Sequence, residues 1–241
     1  MKATLLVVTL VLSLGLSAVQ ARADLSASFS QDNLAAKATF VQDGTYLKII
    51  LQNTATIGAA VPEDALTGVY FTLSGVTLTP VRAVLGAGST VLQPYSGTGV
   101  DANGEVGGEF AYRSGVSGLP SGANLVVASV GMDILGPHDL FPGADLCPPL
   151  SPDGLNYGIV SSIAANANNK VKDVPLIQDT VIFTLAGLPS TYDLAANLDL
   201  SDVMFNYGTG FNPMYGVPVP GAAVLGGIGL VLVGLWRRRQ A

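Results

Sequence analysis

The stretch "KATFVQDGTYLKIILQN", Lys37 to Asn53, constrains the fold more than any other. Apolar and polar residues alternate strictly along its second arm. Leu47, Ile49 and Leu51 point one way, and Tyr46, Lys48 and Gln52 the other. A period of two is the signature of a strand with one buried and one wet face, as in an antiparallel sheet. Asp43-Gly44 between the arms suits a type I′ hairpin turn, whose two central residues both need positive φ. Lys37 to Gln42 and Thr45 to Gln52 are therefore predicted to form a hairpin.

The same texture continues along the chain. "TGVYFTLSG" sets Val69, Phe71 and Leu73 on one face, "GGEFAYRSG" sets Phe110 and Tyr112, and "SDVMFNYG" sets Val203, Phe205 and Tyr207. "VTLTPVRAVL" and "STVLQPY" are short runs bounded by Gly or Pro, while "ANLVVASVGMDIL" and "DTVIFTLAGL" are more continuously apolar and fit central strands. Helical periodicity is limited to about one turn in "YDLAANLDL". The expectation is an all-β fold of about eight to ten strands, an antiparallel two-sheet sandwich. Residues 136–172 interrupt the series with a long Gly-, Pro- and Asn-rich segment, read as an elaborated edge with Tyr157 to Ile163 as an edge strand.

The two ends have a different character. Lys2 precedes an apolar run from Leu5 to Ala18, and the run closes on Ala21-Arg22-Ala23. This is the three-part pattern of a secretory signal peptide cleaved after Ala23, with an uncleaved N-terminal anchor as the alternative. At the other end stands "VPVPGAAVLGGIGLVLVGLWRRRQA". Gly221 to Trp236 is 16 residues, about 24 Å as a helix against a hydrocarbon layer of about 30 Å. It spans as a slightly short helix with Trp236 at one interface. Arg237, Arg238 and Arg239 then stop transfer on the cytoplasmic side. Pro218 and Pro220 keep the chain before it extended. The expected organisation is a signal peptide (1–23), an exported domain (24–210), an extended linker (211–220), a transmembrane helix (221–236) and a basic cytoplasmic tail (237–241).

Pro-x-Pro, a short glycine-rich apolar helix and a terminal arginine cluster, paired with a signal peptide, resemble the PEP-CTERM sorting domain. That resemblance covers about 25 residues of the tail. It implies export in a Gram-negative host that makes exopolysaccharide, processing by signal peptidase and an exosortase, and transient retention in the inner membrane. Tail removal and delivery to the cell surface or matrix would follow. Pro218, Val219 and Pro220 occupy the sorting-motif positions, and Val219 stands where the family usually has Glu. A permanent C-terminal anchor is the alternative. The body is similar to exosortase-dependent surface proteins in "VPEDALTGVYFTLSG", "LTPVRAVLGAGSTVL", "GGEFAY", "GPHDLFPGADL" and "SPDGLNYGIV". This second resemblance implies a surface role and carries no enzymatic activity over to this chain.

Charge and chemistry narrow the partners. Lys2, Arg22 and the three terminal arginines are five of the 11 basic residues, so the exported part has six basic against 17 acidic residues. Such an acidic domain repels phosphate backbones, and nucleic acid is not an expected partner. Cys147 is the only cysteine, so no intrachain disulfide forms. His138 is the only histidine; it lies in a Gly-Pro loop without a G-x-S-x-G elbow nearby, and a hydrolase using it is the least favoured reading. One His and one Cys are too few for zinc. Asp101, Asn103 and Glu105 in "DANGE" form a weak calcium candidate, although a hairpin turn accounts for Asn103-Gly104 equally well. No cofactor is expected. Tyr95, Tyr157, Tyr192 and Tyr215 lie near Gly, Pro or Asn. As exposed platforms they would serve a carbohydrate-binding module of the exopolysaccharide matrix; as sheet-edge packing they would not. The leading expectation is a non-enzymatic surface or matrix protein, with polysaccharide as a possible partner.

Overall fold

The structure, a computed structural model, describes residues 24–92, 103–130, 144–147, 152, 154–164, 171–210 and 213–219. Within these, fifteen strands, one short α-helix and two 3₁₀ turns (Pro62–Asp64 and Gly107–Glu109) occur. In chain order the strands are β1 (Leu25–Gln31), β2 (Leu34–Asp43), β3 (Tyr46–Asn53), β4 (Leu66–Leu73), β5 (Thr79–Leu85), β6 (Val91–Leu92), β7 (Ala111–Ser114) and β8 (Leu125–Ala128). There follow β9 (Ala144–Asp145), β10 (Ile159–Val160), β11 (Leu176–Gln178), β12 (Thr180–Ala186), helix α1 (Leu194–Asn197), β13 (Leu198–Tyr207), β14 (Pro213–Tyr215) and β15 (Val217–Val219). Nine of the strands are four residues or longer; of the six shorter ones, β6 falls in the run "STVLQPY" and β10 in the expected strand from Tyr157 to Ile163.

Two sheets result. The first runs β15-β1-β2-β3-β12-β5, antiparallel throughout. The second follows the path β6-β11-β10-β4-β8-β7-β9, with β13 on β4 and β14 on β13. Its β10–β11 pair is parallel. The expected edge strand within 157–163 is β10, and it is internal, held between β11 and β4. β1 is a strand that the sequence reading did not name.

The inward residues of both sheets make one core. Phe40, Leu47, Ile49, Leu51, Val181, Phe183 and Leu185 come from the first sheet, and Val69, Phe71, Tyr112, Val127, Val203 and Phe205 from the second. Rings meet between the layers: Phe40 and Phe71 at 5.3 Å, and Phe110 and Phe183 at 4.9 Å edge-on. Such pairs contribute about 0.5–1.5 kcal/mol each beyond the area they bury. The result is a sandwich-like all-β fold.

The predicted hairpin forms with a shifted turn. Asp43 faces Tyr46, so the two-residue loop is Gly44-Thr45. Gly44 has φ +61° and Thr45 is not left-handed. One left-handed glycine at the first central position is the arrangement of a II′ turn, not the expected I′ turn.

The outer faces differ. The second sheet is covered by the chain's own loops. Val116, Leu119 and Ala123 pack on Tyr70, Val126, Ala128 and Met204, and a further cluster forms around Val160, Ala164 and Leu176. Among the described residues, no comparable apolar cluster covers the first sheet's outer face.

Candidate functional site

The segment before the tail is built into the domain. β14 pairs antiparallel with β13, setting Phe205 opposite Met214. The chain then crosses at Gly216, and β15 pairs antiparallel with β1: Ser28 faces Val217, Ala27 faces Pro218 and Ser26 faces Val219. Gly216 N–H donates to the Val203 carbonyl at 2.8 Å. A Cβ on Gly216 would lie 3.0 Å from that oxygen, 3.1 Å from Ala27 Cβ and 3.2 Å from Phe205 Cε2. Only glycine fits the crossing without displacing its neighbours. Residues 213–219 of the expected linker are therefore extended and also strand-paired. Pro218 sits on an edge strand, where a residue without an N–H is tolerated.

Antiparallel pairing fixes where the domain's ends lie. β1 begins at Leu25 and β15 ends at Val219, with Ser26 and Val219 side by side. The segments predicted as signal peptide and membrane helix attach to the same end of the same sheet edge. Ala21, Ala23, Pro220, Arg237, Arg238 and Arg239 lie outside the described residues. Among the described residues no helix is long and apolar enough to cross a membrane.

The other candidates scatter. Tyr157 is buried in the core, and its N–H donates to the Pro175 carbonyl. Tyr192 is half-buried, its hydroxyl donates to the Ser74 carbonyl, and burial pushes its pKa up. Tyr215 is exposed on β14. Tyr95, Asp101 and His138 lie outside the described residues. The described tyrosines form no strip. Glu105 Oε1 accepts from the N–H groups of Ala83 and Gly107, both at 2.9 Å. That oxygen is engaged in bracing β5 against the turn before β7, and Asn103 is exposed at the same turn. Among the described residues no group of three or more His, Cys, Asp or Glu is placed to hold a metal. Cys147 is half-buried against Gly107.

A feature that the sequence reading missed is the outer face of the first sheet, which no apolar cluster among the described residues covers. One cross-strand row runs Val41, Lys48, Thr184, Arg82; the next runs Thr39, Ile50, Ile182, Val84; a third sets Ser28, Lys37, Gln52 and Thr180 in line. Lys37, Lys48 and Arg82 are three of the six basic residues outside the terminal segments, and of the 17 acidic residues only Asp43 lies in these six strands. Lys48 pairs with Asp43 at 2.6 Å and holds that carboxyl below its usual value. The hairpin alternation put Lys48 and Gln52 on the wet face, and the β2–β3 register sets Lys37 opposite Gln52. Arg82 joins them only through the β12–β5 register, which no local pattern encodes.

Compared with known protein families, curated proteins and solved structures, the chain matches none. The resemblance of the tail stands on its own residues.

Proposed function

We propose that this chain is a non-enzymatic exported protein of the cell surface or extracellular matrix. Residues 221–236 hold it at the inner membrane, and an exosortase-type enzyme processes it near Pro218-Val219-Pro220. The reading rests on the order Pro-x-Pro, apolar run, arginine cluster in the tail. The pairing of Ser26 with Val219 supports it, because a domain whose two ends leave one sheet corner folds while both end segments are in a bilayer. The test is the intact mass of the protein recovered from the surface or medium of its host. Loss of both 1–23 and the apolar tail is the expected result. A mass that retains Trp236 and the arginines means a permanent anchor and overturns the sorting reading.

A second reading has one observation in its favour. The outer face carrying Lys37, Lys48 and Arg82 suits an acidic polysaccharide better than a neutral one. Salt-sensitive retention on an acidic polysaccharide, lost in Lys37→Glu/Arg82→Glu, would support it. Equal retention of the parent and the double variant would exclude this face.

A further inference from the structure

We propose that β15 stays docked on β1 while the tail is removed. Pro218 and Val219 then remain in the mature domain, and the bond that breaks lies on the C-terminal side of Val219. This rests on reading the tail as a processed segment, and it concerns where the cut falls and what the enzyme must not disturb.

Three observations carry it. First, residues 213–219 bridge both sheets: β14 lies on β13, and β15 lies on β1 in a three-residue register from Ser28–Val217 to Ser26–Val219. Second, the crossing is seated tightly. Gly216 is hydrogen-bonded to Val203 and closely packed against Ala27 and Phe205, and Met214 packs on the main core. Third, a protease takes its substrate as an unpaired extended chain, so cleavage inside a paired strand waits on local opening. The described pairing runs as far as Val219.

The retained strand also has work to do afterwards. Without β15, the outer edge of β1 would present unpaired N–H and C=O groups over the length of Ser26 to Ser28, a template for adding another chain. With β15 in place the new edge is three residues long, and one of them is Pro218, which cannot donate. On this account Pro218 serves the mature domain as an edge guard as well as standing in the processing motif. The chemistry is a hydrolysis. The peptide C–N bond breaks, water supplies a hydroxyl to the acyl carbon on the domain side, and its remaining proton goes to the amine of the departing tail.

Two experiments decide it. The first uses the purified full chain in detergent with a broad-specificity protease, and reads the new C-termini by mass. Early cuts at or beyond the Val219–Pro220 bond are expected. Early cuts between 213 and 218 overturn the proposal, whether or not sorting occurs. The second is a lock in the host. Facing residues on antiparallel strands have Cα atoms about 4.5–5.5 Å apart, within the roughly 4.4–6.8 Å span of a disulfide. Ser28→Cys/Val217→Cys, made with Cys147→Ser, should close in the oxidising exported compartment. The expected result is tail removal from the locked chain to the same extent as from the unlocked Val217→Cys/Cys147→Ser control. A block confined to the locked chain overturns the proposal, because it shows that β15 must undock. If neither chain loses its tail, the sorting reading fails, and the protease map alone judges the strand.

Discussion

The buried side-chain amide of Asn53 donates to the Ile159 carbonyl at 2.9 Å, tying β3 of one sheet to β10 of the other. The same Nδ2 donates to the Asp64 carbonyl at 3.2 Å, and Oδ1 accepts from Ala55 N–H at 3.1 Å. Removing the amide takes the donor from the buried Ile159 carbonyl and the half-buried Asp64 carbonyl. Asn53→Ala is expected to lower unfolding free energy by about 2–4 kcal/mol, read as a shift in urea midpoint at unchanged slope. Asn53→Asp should cost at least as much at neutral pH, since it sets a carboxylate against two carbonyl oxygens. A loss under about 1 kcal/mol in both variants would mean that the carbonyls find other donors.

Gly68 in β4 lies against Ala128 in β8. A Cβ there would stand 2.7 Å from Ala128 Cβ and 3.2 Å from the Val127 carbonyl. Gly68→Ala is expected to destabilise by about 1–3 kcal/mol through overpacking of the central strand. Ala128→Gly should be mildly destabilising alone and should restore much of the loss in the double variant. Thermal unfolding of the four proteins gives the coupling, and strict additivity would refute the contact.

These two contacts show what was and was not legible. Alternation alone placed Leu47, Ile49, Leu51, Val69, Phe71, Val203, Phe205 and Tyr207 in the core, because a period of two reports which face is dry. It said nothing of partners. That β12 lies between β3 and β5, and so brings Arg82 beside Lys48 across Thr184, is a long-range register with no local code. The turn was displaced by one residue because Asp43-Gly44 and Gly44-Thr45 both satisfy a short hairpin, and the β2–β3 register places the loop at the second. β15 was legible only as extended chain. The prolines announce extension, but the pairing with β1 joins residues nearly the whole domain apart.

Tyr207 offers a test of a different kind. Its ring packs against Phe29 at 6.3 Å, and its buried hydroxyl has no hydrogen-bond partner among the described residues. Burial pushes its pKa up, so the phenol is neutral at physiological pH. An unmet hydroxyl costs about 1–3 kcal/mol, and deleting it removes that penalty. Tyr207→Phe should therefore leave stability unchanged or raise it, in contrast to the usual loss for a buried Tyr. A clear fall in melting temperature would place a water or another donor on this oxygen.

The Asp43–Lys48 pair sets a pH dependence whose sign follows from its geometry. Lys48 hydrogen-bonds Asp43 at the turn end of the hairpin and lowers the carboxyl below its ordinary 3.8. A carboxyl depressed on folding stabilises the native state above its unfolded value, and that contribution disappears as pH falls through the folded value. In Lys48→Met the Asp43 resonance should titrate higher, close to the unperturbed position. The stability difference between parent and variant should be constant at neutral pH and vanish in acid. Because both groups face solvent, the difference should also shrink in about 1 M salt, where screening reaches only about 3 Å. An unchanged Asp43 titration in Lys48→Met, followed by carboxyl NMR, would separate the two side chains in solution and leave the outer face with three unpaired cations.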